Sequence, residues 1–317
     1  MEQRRLGSSS LSIPPLVFGG NVFGWSADEA TSFRLLDMLV DAGLTAIDTA
    51  DVYSRWVPGH QGGESEAIIG RWLKKRGKRD DLTIMTKVGM EMPGRGKGLS
   101  PAWIRQSVDD SLKRLQTDTI DLYQAHQDDP ATPLPETLSA FADLIQAGKV
   151  RAIGASNYSA PRLEEALTAS RSNNLPSYVS LQPHYNLVER PLFEDALEAV
   201  CERHKLGVIP YYSLASGFLS GKYRSTADLS KSAARGRGVA KYLEGKGPKV
   251  LAALDEVAGA TAATPAQVAL AWMMARPSIT APIASATKPE QLDDLIKAAR
   301  LKLSSAQIAS LNAASAA

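Results

Sequence analysis

The sequence predicts a single (β/α)8 barrel spanning all 317 residues, preceded by a hairpin and carrying extra helices. Three observations predict it. Short apolar, often β-branched runs alternate with stretches of helical periodicity; there are eight such runs; and the length suits one large α/β domain. Strands alternating with helices imply parallel pairing through right-handed crossovers.

In chain order, residues 4–15 read as the hairpin, turning at Ser8-Ser9-Ser10, and residues 16–20 as the first barrel strand. Asp28 or Ser26 caps a helix with Phe33, Leu36, Leu39 and Val40 on one face and Gly43 at its end. The second strand is 44–48. The helix after it closes on Lys74, Lys75, Arg76, Lys78 and Arg79, cations that complement the dipole. Strand three is 82–87. Ser100-Pro101 opens the next helix, with proline where no amide donor is wasted. Strand four is 120–124, followed by a helix over 136–147 that ends at Gly148. Strand five is 150–154, Ser159-Ala160-Pro161 starts another helix, and strand six is 178–182. The apolar helical stretch Leu197, Val200, Cys201 makes the sole cysteine a small core residue that forms no intrachain disulfide. Strand seven is 207–211 and strand eight 280–284. Residues 225–249, rich in Gly, Lys and Arg, read as a long loop, and 313–317 as a small-residue tail. Helices over 264–275 and 304–312 exceed the eightfold count.

A net charge of +2, with 44% hydrophobic and 22% charged residues, describes an ordinary globular chain without a nucleic-acid or membrane surface. The start of the chain has no long apolar run and no segment is apolar enough to span a bilayer, so a reducing cytoplasm is expected. The sequon Asn157-Tyr158-Ser159 is then a chance match.

Chemistry in this fold gathers where strands end. Those ends carry Asp48, Lys87, His126, Ser156-Asn157, Gln182, Tyr211 and Ser285. Any one reads as a cap, a surface lysine or a loop histidine; together, a barrel points them into one bowl. The set suits the reduction of a carbonyl, which needs hydride on carbon and a proton on oxygen. Tyr53 is a phenol with an ordinary pKa of roughly 10. An ammonium beside it favours phenolate and strengthens the acid, a role for Lys87 that Asp48 would support by balancing the charge. His126 would orient the carbonyl oxygen.

The motifs then resemble those of the aldo-keto reductases. Asp48-Thr49-Ala50-Asp51-Val52-Tyr53, Met85-Thr86-Lys87 and Asp121-Leu122-Tyr123-Gln124-Ala125-His126 match that family's acid-to-tyrosine, lysine and histidine strands. Gly154-Ala155-Ser156-Asn157, Leu181-Gln182-Pro183-His184-Tyr185-Asn186 and the stretch from Pro210 to Gly217 continue it over nearly the whole chain. The resemblance implies a catalytic tetrad of Asp48, Tyr53, Lys87 and His126. It implies a nicotinamide site in which Ser156, Asn157 and Gln182 hold the carboxamide and Tyr211 stacks on the ring. Gly20, Asn21 and Asp48 join that site, and Leu214, Ser216 and Gly217, with Lys222, meet the pyrophosphate. Ser285, Thr287, Lys288 and Gln291 resemble the adenosine-phosphate loop. Thr287 stands where an arginine is often found, so NADPH is the expected cofactor with a modest preference over NADH. A short C-terminal segment implies small or polar carbonyl substrates, lined by Trp25, Trp56, Met90 and the 92–99 loop.

Other phosphate sites fail on spacing. Gly217 to Lys222 is one residue short of a P-loop with Tyr223 in place of Ser or Thr, and Gly94, Gly96 and Gly98 lack the dinucleotide pattern. No metal site is expected. Two rival readings are a cofactor-binding regulatory subunit of the same fold and an aldolase forming a Schiff base through Lys87.

Overall fold

In the computed structural model, which describes residues 1–231 and 236–316, an antiparallel hairpin of β1 (Arg4–Arg5) and β2 (Ser12–Ile13) precedes eight parallel strands. These are β3 (Val17–Gly19), β4 (Ala46–Asp48), β5 (Thr83–Val88), β6 (Ile120–Ala125), β7 (Val150–Ser156), β8 (Ser180–Gln182), β9 (Gly207–Val208) and β10 (Ile283–Ala284). They pair in sequence order, with β10 returning beside β3. The seam between β9 and β10 is closed by the Thr280 amide donating to the Val208 carbonyl at 2.9 Å and the Ile283 amide to the Pro210 carbonyl at 2.9 Å. The eight expected runs are all present. The last two shrink because Pro210 and Pro282 have no N–H to give to a ladder.

Between the strands lie α1 (Glu29–Asp41), α2 (Glu64–Arg76), α3 (Pro101–Leu115), α4 (Leu134–Gln146), α5 (Ala160–Ser172), α6 (Pro191–Glu194) and α7 (Leu197–His204). After β9 come α8 (Gly236–Val239), α9 (Gly247–Thr261) and α10 (Pro265–Met274), and after β10 come α11 (Pro289–Ala298) and α12 (Ser305–Ser315). Asp28, not Ser26, caps α1, accepting from the Thr31 amide at 2.8 Å. Ser100 and Ser159 cap α3 and α5, while Thr264 and Ser304 form capping boxes with Gln267 and Gln307. Cys201 is buried, and burial pushes its thiol up to about 12.

The 225–249 segment is not one long loop. Short 3-10 turns at Thr226–Lys231 and Ala240–Tyr242 and the α8 turn occupy its described part, and α9 begins at Gly247; residues 232–235 of the expected loop lie outside the described residues. Val239, Tyr242 and Val250 bury their side chains and hold it down. Helix α12 likewise absorbs most of the expected tail, of which Ala317 lies outside the described residues.

The two-residue period of the strands sorts the interior. Ile47, Ile84, Tyr123, Ile153 and Leu181 face the helices within the larger core. Val17, Ala46, Met85, Leu122 and Ala152 face inward and pack with Leu6, Leu11 and Ile13 of the hairpin, which closes the barrel floor. Gly7 makes that closure possible: at φ +57°, a Cβ there would lie 2.0 Å from the Val179 carbonyl oxygen. Two residues further along the same strands, the inward positions become Asp48, Lys87, Gln124 and Gly154. A polar layer therefore lies directly above an apolar one.

Candidate active site

The polar layer is organised by Lys87. Its ammonium donates to Asp48 Oδ2 at 2.6 Å, to the Thr49 carbonyl at 2.7 Å and to Tyr53 Oη at 2.9 Å. An ammonium has three protons to donate, so it is satisfied although fully buried. Asp48 Oδ1 accepts from Gln124 Nε2 at 3.1 Å and Gln182 Nε2 at 3.0 Å, and Gln182 Nε2 also donates to Gln124 Oε1 at 3.1 Å. The carboxylate is thus ligated on both oxygens. Thr49 is tied down in turn: its hydroxyl pairs with that of Ser65 at 2.8 Å, and Ser65 donates to the Gly20 carbonyl at 2.8 Å.

Electrostatics follow from this burial. Burial works against the charge on Lys87, yet Asp48 and Tyr53 outweigh it and hold the ammonium above its ordinary pKa. Burial of the Tyr53 phenol raises its pKa; Lys87 pulls it down and Asp48 adds to the rise. The acid-strengthening effect of Lys87 expected from the sequence is therefore real but outweighed, and Tyr53 holds its proton at neutral pH. His126 follows β6, with its amide donating to the Val88 carbonyl at 2.8 Å. Burial, then the Lys87 and Arg55 charges, push its imidazole well below the usual range, so it is neutral. Its Nδ1 is enclosed without a partner among the described residues, which leaves Nε2 as the nitrogen able to meet a ligand. The Tyr53 and His126 rings meet edge to face at 6.0 Å.

The remaining predicted residues surround this centre. Ser156 donates to the Gln182 carbonyl at 2.9 Å, and Asn157 Nδ2 donates to the His126 carbonyl at 2.8 Å. Tyr211 donates through its hydroxyl to Asn157 Oδ1 at 2.7 Å, and His184 stacks on its ring at 5.4 Å, fixing a half-buried aromatic shelf. Of the predicted carboxamide readers, Gln182 has its amide committed to Asp48 and Gln124, whereas Asn157 lies on the Tyr211 side. Three successive residues of the following turn have left-handed backbone: Ala215 (φ 48°), Ser216 (φ 58°) and Gly217 (φ 94°). Two of them are not glycine, and such strain persists where a site requires it. The turn sits after Leu214, whose carbonyl accepts from the Gly217 amide at 2.8 Å, and Lys222 lies alongside, its Nζ 3.4 Å from where a Gly217 Cβ would stand. The Ala215 amide is likewise given to the Tyr212 carbonyl at 2.7 Å, so it is Lys222, beside the open side of the turn, that suits a phosphate.

On the opposite flank Ser285 donates to Asn21 Oδ1 at 2.7 Å. Thr287 gives both its amide (2.8 Å) and its hydroxyl (3.1 Å) to Gln291 Oε1, and Lys288 is exposed at the N-cap of α11. At the rim, Trp56 stands edge-on to Trp25 at 5.4 Å and to Tyr53 at 6.1 Å, and Met90, like Tyr53, packs against the Ala50–Val52–Met92 cluster. Met92 and Leu99 are buried, so the ends of the expected 92–99 lining loop belong to the core instead.

Gln124, Thr49 and His184 were given no role by the sequence. The available signal for Gln124 was an uncharged amide at an inward position of a central strand, in register with Lys87.

The model of the Aldo/keto reductase family matches residues 15–316. The chain is 35% identical to the uncharacterized oxidoreductase YrpG of Bacillus subtilis, over 98% of this chain and 95% of that protein. It is 33% identical to a putative voltage-gated potassium channel subunit beta of Schizosaccharomyces pombe, over 93% and 87%. It is 32% identical to the L-glyceraldehyde 3-phosphate reductase of Escherichia coli, over 94% and 87%.

Proposed function

Because the chain belongs to the aldo/keto reductase family, we propose that it is an NADPH-dependent reductase of small aldehydes and ketones, working in the cytoplasm, with Tyr53 as its proton donor. The observation that carries this reading is the Lys87 ammonium bridging Asp48 and Tyr53 at 2.6 and 2.9 Å.

The residues present fit a dinucleotide. The left-handed turn at 215–217 with Lys222 suits the pyrophosphate, the pinned Tyr211 ring offers a flat face, and Asn157, Ser156 and Gln182 lie next to it. Bound there, the nicotinamide would supply the hydride that goes to the carbonyl carbon. Tyr53 gives its proton to the carbonyl oxygen, and the phenolate left behind is stabilised by the ammonium at 2.9 Å. Neutral His126 meets the same oxygen through Nε2 and fixes its direction. Asp48 holds the ammonium in place and does not touch substrate.

A lysine held charged by Asp48 and Tyr53 argues against the aldolase reading, since a Schiff base requires the neutral amine. The regulatory-subunit reading draws on the channel-subunit relative. Steady-state assays of aldehydes and alcohols with each nicotinamide cofactor separate the two. Carbonyl-dependent oxidation of NADPH that Tyr53→Phe abolishes is the expected result; tight cofactor binding with no turnover on any carbonyl would favour the regulatory subunit.

A further inference from the structure

We propose that Arg55 anchors an anionic group on the substrate, so that the preferred carbonyl compounds carry a carboxylate or phosphate away from the reacting carbon; this rests on the reductase reading above.

Arg55 lies two residues after Tyr53 in the turn that follows β4, half-buried. Its side chain crosses to the next strand-end loop, where it donates to the backbone carbonyl of Glu91, beside Met90. Tyr53 and Met90 both pack against the Ala50–Val52–Met92 cluster, so the turn that carries Arg55 and the loop it reaches adjoin beside Tyr53. The positive charge of Arg55 adds, after burial and Lys87, to the effects that keep the His126 imidazole neutral.

Its bonding is incomplete. Among the described residues the guanidinium makes one hydrogen bond, to a neutral carbonyl, and no carboxylate lies within 4.0 Å of it. Arg114, Arg162 and Arg190 are matched, with Glu66 at 2.7 Å, Asp128 at 2.9 Å and Glu194 at 2.9 Å, whereas Arg4 of the hairpin, far from the strand-end bowl, likewise meets only a backbone carbonyl, that of Thr280. Held at one nitrogen by the Glu91 carbonyl, the Arg55 guanidinium keeps donors with which its planar fork can pair with a planar anion.

The test compares 4-methylbenzaldehyde, 4-carboxybenzaldehyde and 4-formylphenyl phosphate in the wild type, Arg55→Gln and Arg55→Lys. The wild type should favour a charged aldehyde over the neutral one in kcat/KM, and Arg55→Gln should reduce that ratio roughly ten- to a hundredfold, as for a charge-assisted bond. Arg55→Lys should retain part of it. Which charged compound leads assigns the anion. A wild type without preference beyond threefold, or a preference that survives in Arg55→Gln, overturns the proposal. If nothing is reduced by any form, the reductase reading fails separately. Calorimetric binding of 4-carboxybenzaldehyde to protein mixed with NADP+ then decides for Arg55: weakening by tenfold or more in Arg55→Gln supports the anchor, and equal binding overturns it.

Discussion

Replacing Lys87 by methionine isolates what the buried ammonium does. Methionine is near in volume to the lysine stem, so the cavity contribution is small. What is lost is the set of bonds to Asp48, the Thr49 carbonyl and Tyr53, at 2.6, 2.7 and 2.9 Å. Breaking a buried pair by removing one partner costs about 3–5 kcal/mol because the other charge is left uncompensated. Here the side chains are 0% and 2% exposed, so solvent does not soften the loss. Asp48 nevertheless keeps two amide donors on Oδ1, which places the expectation at the lower end, about 3 kcal/mol. Adding Asp48→Asn removes the stranded carboxylate. Equilibrium denaturation in urea of the wild type, both single variants and the double variant closes the cycle. The double variant should regain roughly 2 kcal/mol over Lys87→Met alone and remain without turnover, since Tyr53 has lost the group that stabilises its phenolate. Stability of the double variant equal to the sum of both single losses would refute the coupled pair, and wild-type turnover in it would refute the role of Lys87.

Tyr53→Phe should lower kcat by roughly 10²–10⁴-fold with cofactor affinity kept, and retention of more than a tenth of the activity would exclude Tyr53 as the acid. NADPH should bind more tightly than NADH by about tenfold. Lys288 is exposed and the Thr287 hydroxyl proton already goes to Gln291, so Lys288→Ala should weaken NADPH binding only about two- to fivefold, less at high salt, without affecting NADH. Equal loss for both cofactors would rule out Lys288 as the phosphate reader. Asp51 is buried, neither carboxyl oxygen has a hydrogen-bond partner among the described residues, and burial, then Glu66, raises its pKa well above the ordinary value. The unfolded chain releases this proton near pH ~4 while the folded chain retains it, so this contribution is complete below that pH and lost as pH rises through the raised value. Asp51→Asn should therefore gain stability relative to wild type as pH climbs from about 4, by up to ~1.4 kcal/mol per unit; a difference that does not vary with pH would contradict this.

Much of this was legible from residue order because two periodicities suffice to place it. Knowing that 44–48, 82–87 and 120–124 are strands puts Asp48, Lys87 and His126 at one end of a barrel, and the turn to Tyr53 is only five residues. What was hidden depends on depth and pairing. The net rise in the Tyr53 pKa comes from desolvation, which no spacing reveals. Gln124 looks like an interruption of an apolar strand until its register with Lys87 is known. The helical turns in 225–249 are held by Val239 and Tyr242, two apolar residues scattered among charges. The Met92 side chain turns inward against Ala50 and Val52 through a bridge between Met92 and Gly96, a contact too local to show as periodicity.

The hairpin that closes the barrel floor makes the molecule a cup with one mouth, and that gives the two ends of the chain's chemistry different handles. A polypeptide fused ahead of Met1, or a surface linkage made there, attaches on the underside and leaves the rim with Trp56 and Arg55 facing outward. Cutting back past Ile13 has the opposite effect. It would strip Leu6, Leu11 and Ile13 from beneath Met85 and Leu122 and open a drain in the floor. The apolar layer of Val17, Ala46, Met85, Leu122 and Ala152 would then be all that separates water on the underside from the Asp48–Lys87 pair.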